Sequence, residues 1–142
     1  MINKLKKMLL AALFVSPATA VLANEKLEDY GMGKMKSGVL HVSATEASEL
    51  LDDDSSIVVL DVRTAEEHSE FKIRDHVNID YLSDDFRERL SELDKDQVYL
   101  LHCGSGGRSG KALPTMHELG FSNVIHLDGG TGAWTKAGLG SN

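Results

Sequence analysis

The stretch Leu101-His102-Cys103-Gly104-Ser105-Gly106-Gly107-Arg108-Ser109-Gly110-Lys111 decides how this chain is read. It closes an apolar run, Gln97 to His102, whose composition predicts a strand. It opens a helical pattern from Ser109 to Leu119, with Gly120 as the C-terminal stop. Pro114 falls inside that pattern, so the helix either starts a residue or two later or is kinked. Val124-Ile125-His126-Leu127 predicts the next strand, followed by Asp128-Gly129-Gly130 and a last helical turn carrying Trp134. A strand, a tight glycine loop, a helix and a second strand make the repeating unit of a parallel sheet.

The same alternation continues upstream. Val39 to Val42 is a strand candidate, and Ser43 with Glu46 forms a capping box ahead of Ala47 to Leu51. Asp52 to Ser56 is a turn, and Ile57-Val58-Val59-Leu60 suits a strand buried on both faces. Thr64 and Glu67 make a second capping box over a short helix, and Val77-Asn78-Ile79 is another strand. Ser83 is read as the cap of a helix through Leu93, with Phe86, Leu90 and Leu93 on one face. Residues 24–38 mix charge with glycine without a period and read as a loose N-terminal arm. The expected architecture is one α/β domain over residues 39–139, with a mainly parallel central sheet and helices on both faces.

Composition bounds the function. A chain of 142 residues has room for one domain, and 42% hydrophobic with 26% charged residues is ordinary for a globular protein. One cysteine excludes an internal disulfide framework and any multi-cysteine metal site. Residues 1–23 read as a secretory signal: Lys4, Lys6 and Lys7, the apolar run Met8 to Val15, then Pro17 and small-residue cleavage patterns ending at Ala20 and Ala23. A retained anchor is the competing reading, but the run is far shorter than the about 20 residues a bilayer requires. Cleavage after Ala23 removes three lysines and no acid, taking the formal charge from −7 to −10. So acidic a domain is poorly suited to nucleic acid or anionic lipid. No cofactor is expected, and His68, His76, His117 and His126 share no spacing that would suggest a metal.

The cysteine is where chemistry concentrates. In an open α/β sheet, ligands bind beyond the carboxyl ends of strands, which is where Cys103 falls. Gly104, Gly106 and Gly107 let successive N–H groups converge, the following helix aims its positive end at the same point, and Arg108 adds charge. Each favours a thiolate, the nucleophilic form. A lone cysteine is more often a small buried hydrophobe, but this placement reverses the balance. The lysine–serine/threonine ending of a nucleotide-binding loop is absent.

These residues resemble the rhodanese-like sulfurtransferases. Cys103, Gly106, Arg108 and Ser109 match that family's Cys-x-x-Gly-x-Arg-Ser loop, and Asp61-Val62-Arg63 before an acidic helix start matches a second motif. Gly129-Gly130-Thr131-Gly132-Ala133-Trp134 is similar to the family's Gly-Gly-x-x-Ala-Trp. The resemblance covers about Val39 to Leu139 and implies a single rhodanese-like domain. With the export signal it implies the periplasmic type. One departure is clear: the family's Gly-His-Ile-Pro-Gly stretch is Phe71-Lys72-Ile73-Arg74-Asp75 here, so Lys72 stands in the histidine's place.

The resemblance implies a two-step transfer. Cys103 takes the outer sulfur of a small anionic donor such as thiosulfate, and a thiophilic acceptor such as cyanide, a thiol or a periplasmic thiol protein removes it. The implied binding residues are Gly104, Ser105, Gly106, Gly107, Arg108, Ser109 and Arg63, with Asp61 orienting loop groups. Arg108 and Arg63 each carry two readings, a donor-anion contact or a structural ion pair. Ser105 and Ser109 carry hydrogen bonds to sulfur, and Ser109 equally reads as a helix cap. His102 reads as packing at the strand end, Lys111 as solvated, and Trp134 as core. The rivals are a sulfur carrier without turnover and a cysteine phosphatase, whose loop has one residue more than Gly104 to Gly107. The loop start Cys-Gly-Ser-Gly resembles mercaptopyruvate sulfurtransferases. Lysine cannot relay a proton as imidazole does near neutral pH, so thiosulfate is the expected donor.

Overall fold

The computed structural model describes residues 25–141; residues 1–23, read from the sequence as an export signal, fall outside the described residues. Six strands, β1 (Lys34–Lys36), β2 (Val39–Val42), β3 (Val58–Asp61), β4 (Val77–Asn78), β5 (Tyr99–His102) and β6 (Val124–Leu127), form one sheet in the order β1-β2-β6-β5-β3-β4. Every pairing is parallel except β1 with β2. The helices are α1 (Ala44–Asp53), α2 (Ala65–Glu70), α3 (Phe86–Ser91), α4 (Gly107–Glu118) and α5 (Gly130–Lys136). All four residues of β5 and of β6 are buried, as continuous apolar runs in the middle of a parallel sheet require.

The sheet separates two cores. Leu40, Val42, Val59, Leu100, Ile125 and Leu127 face Ala47, Leu50 and Leu51 of α1 and Trp134 of α5. Leu60, Tyr99, Leu101 and Val124 face Phe86 and Leu90 of α3 and Ala112 and Met116 of α4. Helices therefore cover both faces, as the alternation of elements predicts. Because side chains alternate across a strand, His41 and His126 share the α4 face with Val39 and Val124. They are also Cα partners across β2 and β6.

Both capping boxes form: Ser43 with Glu46 starts α1 and Thr64 with Glu67 starts α2. Three expectations need correction. The 24–38 arm is not loose: residues 25–28 are helical, Leu27 is 0% exposed in the first core, and β1 pairs with β2. Ser83 caps nothing; its hydroxyl bonds Asp85, and α3 starts only at Phe86 and ends before Leu93. Helix α4 begins at Gly107, earlier than read, so Pro114 sits inside it and not in its first turn.

Candidate active site

Cys103 follows the last residue of β5, between the carboxyl ends of β3 and β6. The chain turns at Gly106, whose φ of +100° is a left-handed conformation that side chains disfavour. That turn directs the Gly106 N–H at the Cys103 sulfur, 3.1 Å away, while the Ser109 hydroxyl lies 3.4 Å from it. Burial pushes the thiol's pKa up. The Ser109 hydroxyl and the amides of Ser109, Ser105 and Gly106 outweigh that and bring it below the ordinary thiol value. The sulfur is therefore biased toward thiolate by dipoles.

The base of the loop is clamped by the start of α5. Thr131 N–H donates to the Cys103 carbonyl at 3.0 Å and Gly132 N–H to the Gly104 carbonyl at 2.9 Å. A side chain at Gly130 would collide with the Cys103 carbonyl oxygen and stand 2.8 Å from the Gly104 carbonyl carbon. This explains why glycine occupies position 130 in the glycine–tryptophan motif. Trp134 is core, as expected, and its indole N–H donates to the Gly140 carbonyl at 3.0 Å.

Both arginines are engaged in ion pairs within the fold. Arg63 is 4% exposed, and all three of its guanidinium nitrogens donate within the fold, to both Asp61 oxygens and to the carbonyls of Glu67 and Phe71. Arg108 makes a two-pronged bond to Glu67, at 2.7 and 3.0 Å. Glu67 thus serves twice, capping α2 and holding the cysteine loop, and its pKa is pulled to about 2, first by Arg108. Asp61 accepts hydrogen bonds from Arg63 and lies 2.8 Å from His68 Nδ1. Burial raises its pKa, but the bonds from Arg63 and His68 help bring it below the ordinary carboxylate value. Ser105 is exposed and contributes its amide, while Gly104 and Gly107 supply backbone at the two ends of the turn. Ser109 is no cap: α4 begins two residues earlier with Gly106 at the cap position. His102 is 0% exposed, with Nδ1 3.1 Å from the Cys103 carbonyl, which fits packing at the strand end.

Sequence reasoning missed His126 and Asp128. The Ser109 hydroxyl is 2.8 Å from His126 Nε2, His126 Nδ1 is 2.7 Å from Asp128 Oδ1, and His41 Nδ1 is 2.8 Å from the same oxygen. A signal was present: a histidine and an aspartate two apart at the end of a strand share one face. The imidazole that reaches the loop comes from β6 and not from position 72, where Lys72 has its backbone bonded to Ser141. Ligand atoms of His41, His126 and Asp128 lie within 4.8 Å of one another, close enough to gather an ion. Both Nδ1 atoms are hydrogen-bonded to Asp128 Oδ1, which accounts for the arrangement without one. A cleft of about 700 Å³ between α4 and the β1–β2 hairpin opens beside His41.

Residues 43–137 match the Rhodanese-like domain family. A sulfurtransferase of Allochromatium vinosum is 30% identical over 101 residues, covering 71% of this chain and 92% of the relative. Thiosulfate sulfurtransferase 16 of Arabidopsis thaliana chloroplasts is 35% identical over 108 residues, covering 69% and 88%. Other relatives are longer, and the chain spans about a quarter to a half of their length. Among solved structures, a rhodanese-related protein from Thermoplasma volcanium superposes with a TM-score of 0.61 at 28% identity, covering 70% of this chain and 93% of that one. The loop motif, the parallel sheet and these matches converge: the chain belongs to the rhodanese-like family of sulfurtransferases and sulfur carriers.

Proposed function

We propose that this protein transfers a sulfane sulfur from thiosulfate, or a similar small anionic donor, to a thiophilic acceptor through a persulfide on Cys103. The observation that carries the reading is the cysteine loop itself: the chain's one sulfhydryl at a strand terminus, with an N–H and a hydroxyl directed at its sulfur. The Cys103 thiolate attacks the outer sulfur of thiosulfate, the sulfur–sulfur bond of the donor breaks, and sulfite leaves with the bonding pair. The enzyme keeps Cys–S–S⁻, whose charge the loop amides stabilise. Cyanide or a thiolate then attacks the outer sulfur, and the Cys103 thiolate departs. Each step conserves charge and consumes neither metal nor cofactor. Since Glu67 offsets Arg108, attraction for the anionic donor falls to the loop amides, the amino end of α4 and solvated Lys111.

The cradle of four residues, Gly104 to Gly107, suits one sulfur atom better than a phosphoryl group. Cys103 is 1% exposed, which favours a small donor. The same reading places the mature protein in the periplasm after cleavage of residues 1–23, with a small acceptor or a periplasmic thiol protein taking the sulfur.

Intact mass spectrometry with and without thiosulfate tests the first half-reaction, and cyanide-dependent thiocyanate formation tests the second. The expected result is a gain of one sulfur atom, lost on adding cyanide, with both signals absent in Cys103→Ser. A serine hydroxyl is hardly ionised near neutral pH. Turnover persisting in that variant would overturn the assignment. Loading without discharge to any small acceptor would identify a carrier. Side-by-side kinetics with 3-mercaptopyruvate decide the donor, thiosulfate being expected to show the higher kcat/KM.

A further inference from the structure

We propose that Ser109, His126 and Asp128 form a proton relay that receives the Cys103 thiol proton and holds it on His126 during sulfur transfer. Ser109 touches the reacting sulfur; His126 and Asp128 are positioning residues acting through it. The inference deepens the sulfur-transfer reading and rests on it.

The directions of the hydrogen bonds follow from what each group can do. An ionised carboxylate only accepts, so the His126 nitrogen facing Asp128 carries a hydrogen. In the neutral ring Nε2 then holds a lone pair, and the Ser109 hydroxyl donates to it across 2.8 Å. The serine oxygen therefore meets the sulfur as an acceptor and receives the thiol S–H. On ionisation the two bonds of the serine hydroxyl reverse, while His126 Nδ1 goes on donating to Asp128. The thiol proton moves to Ser109, the serine proton moves to Nε2, and the hydroxyl now donates to the thiolate. Neutral thiol plus neutral imidazole becomes thiolate plus imidazolium, so net charge is unchanged in a buried setting where net charge is costly. The imidazolium remains beside the persulfide anion and again beside the thiolate released at discharge.

The surroundings support this. The titratable groups facing His126 are Asp128 at the end of its own strand, His41 from β2, with ring centroids 5.1 Å apart, and Cys103 across Ser109. Of these, the carboxylate is the group whose charge favours imidazolium in the resting state, before the sulfur ionises. Burial lowers the His126 pKa and keeps the resting ring neutral, ready to accept, while Asp128 opposes that. His126 is 5% exposed and Ser109 0%, so water does not replace the serine in the chain. The other end is open, because Asp128 is exposed and His41 borders the cleft beside α4.

The test titrates Cys103 by the ultraviolet absorbance of its thiolate, in the full mature chain and with no sulfur donor present. Wild type is compared with Ser109→Ala, His126→Gln and Asp128→Asn. The Asp128→Asn carbonyl still accepts the ring N–H, so shape is kept and only charge is removed. The expected result is an apparent thiol pKa raised in all three. Sulfur transfer near neutral pH falls about 10²-fold in Ser109→Ala and His126→Gln, the order seen on removing an acid–base group, with KM within about twofold. Asp128→Asn falls less. A thiol titration unmoved in both His126→Gln and Asp128→Asn overturns the relay, even if turnover drops. If His126→Gln does not fold, Asp128→Asn decides alone. Shifted titrations in a protein that never loads sulfur would refute the proposed function and leave the proton coupling standing.

Discussion

Two aspartate–histidine clusters flank the end of β5 and use the same residue types to opposite ends. On the β3 side, Asp61 is 0% exposed and accepts bonds from Arg63 and from His68 at 2.8 Å. On the β6 side, exposed Asp128 accepts, among the described residues, from His126 and His41 only, both titratable, and the series of bonds ends on a hydroxyl at the sulfur. The guanidinium makes the difference. A cation that never deprotonates fixes Asp61 as an anion and turns that cluster into scaffold for the loop after β3. Without one, protons can redistribute along the β6 cluster. The contrast shows that whether a fixed charge is present, and not the count of histidines, separates a brace from a proton path.

The comparison breaks most directly at Asp61. Asp61→Asn leaves the buried Arg63 charge without its partner and should cost about 3–5 kcal/mol of folding stability. Denaturant unfolding measures it, and a loss below about 1 kcal/mol would mean that this side is no brace. Next comes the clamp under the loop. Gly130→Ala forces a methyl against the Cys103 carbonyl at a φ of +58° and should destabilise by about 1–3 kcal/mol, seen as a lower Tm. An unchanged Tm would show that α5 yields and the loop base is not clamped. A smaller effect belongs to the half-exposed pair: Arg108→Ala should cost under about 1 kcal/mol because water screens the charges.

The smallest effect is its pH dependence. The Glu67 pKa is about 2 in the fold against an ordinary 4.5, so its contribution is full above pH about 4.5 and vanishes as pH falls toward about 2. The stability difference between wild type and Arg108→Ala should therefore narrow over that interval. A constant difference would assign the cost to lost packing.

What the sequence disclosed were features written in short spacings. The two capping boxes span three residues each, the buried strands are unbroken apolar runs, and the loop motif is contiguous. All of these fix local backbone before any tertiary contact is made. What it concealed joins distant residues: Arg108 to Glu67 across 41 positions, Ser109 to His126 across 17, and His41 to Asp128 across 87. Those meetings depend on the strand order that sets β5 between β3 and β6, and β6 beside β2, which no local pattern encodes. The order of the N-terminal arm is hidden for a related reason. Leu27 has no periodic neighbours to mark it as core, and its burial comes from the hydrophobic cluster against which it folds back.

Clamping the cysteine loop at its base has a bearing on what the scaffold could be adapted to hold. Cys103 and Gly104 are pinned through their carbonyls by α5, and Arg108 is tied to Glu67 across the other shoulder. Any lengthening of the loop must then bulge at its apex, where Ser105 and Gly107 already face solvent. The sulfur's address stays constant while the aperture above it widens. Within this fold, and on the proposed function, the gauge of the anion admitted can drift by insertion at three residues without re-siting the cysteine.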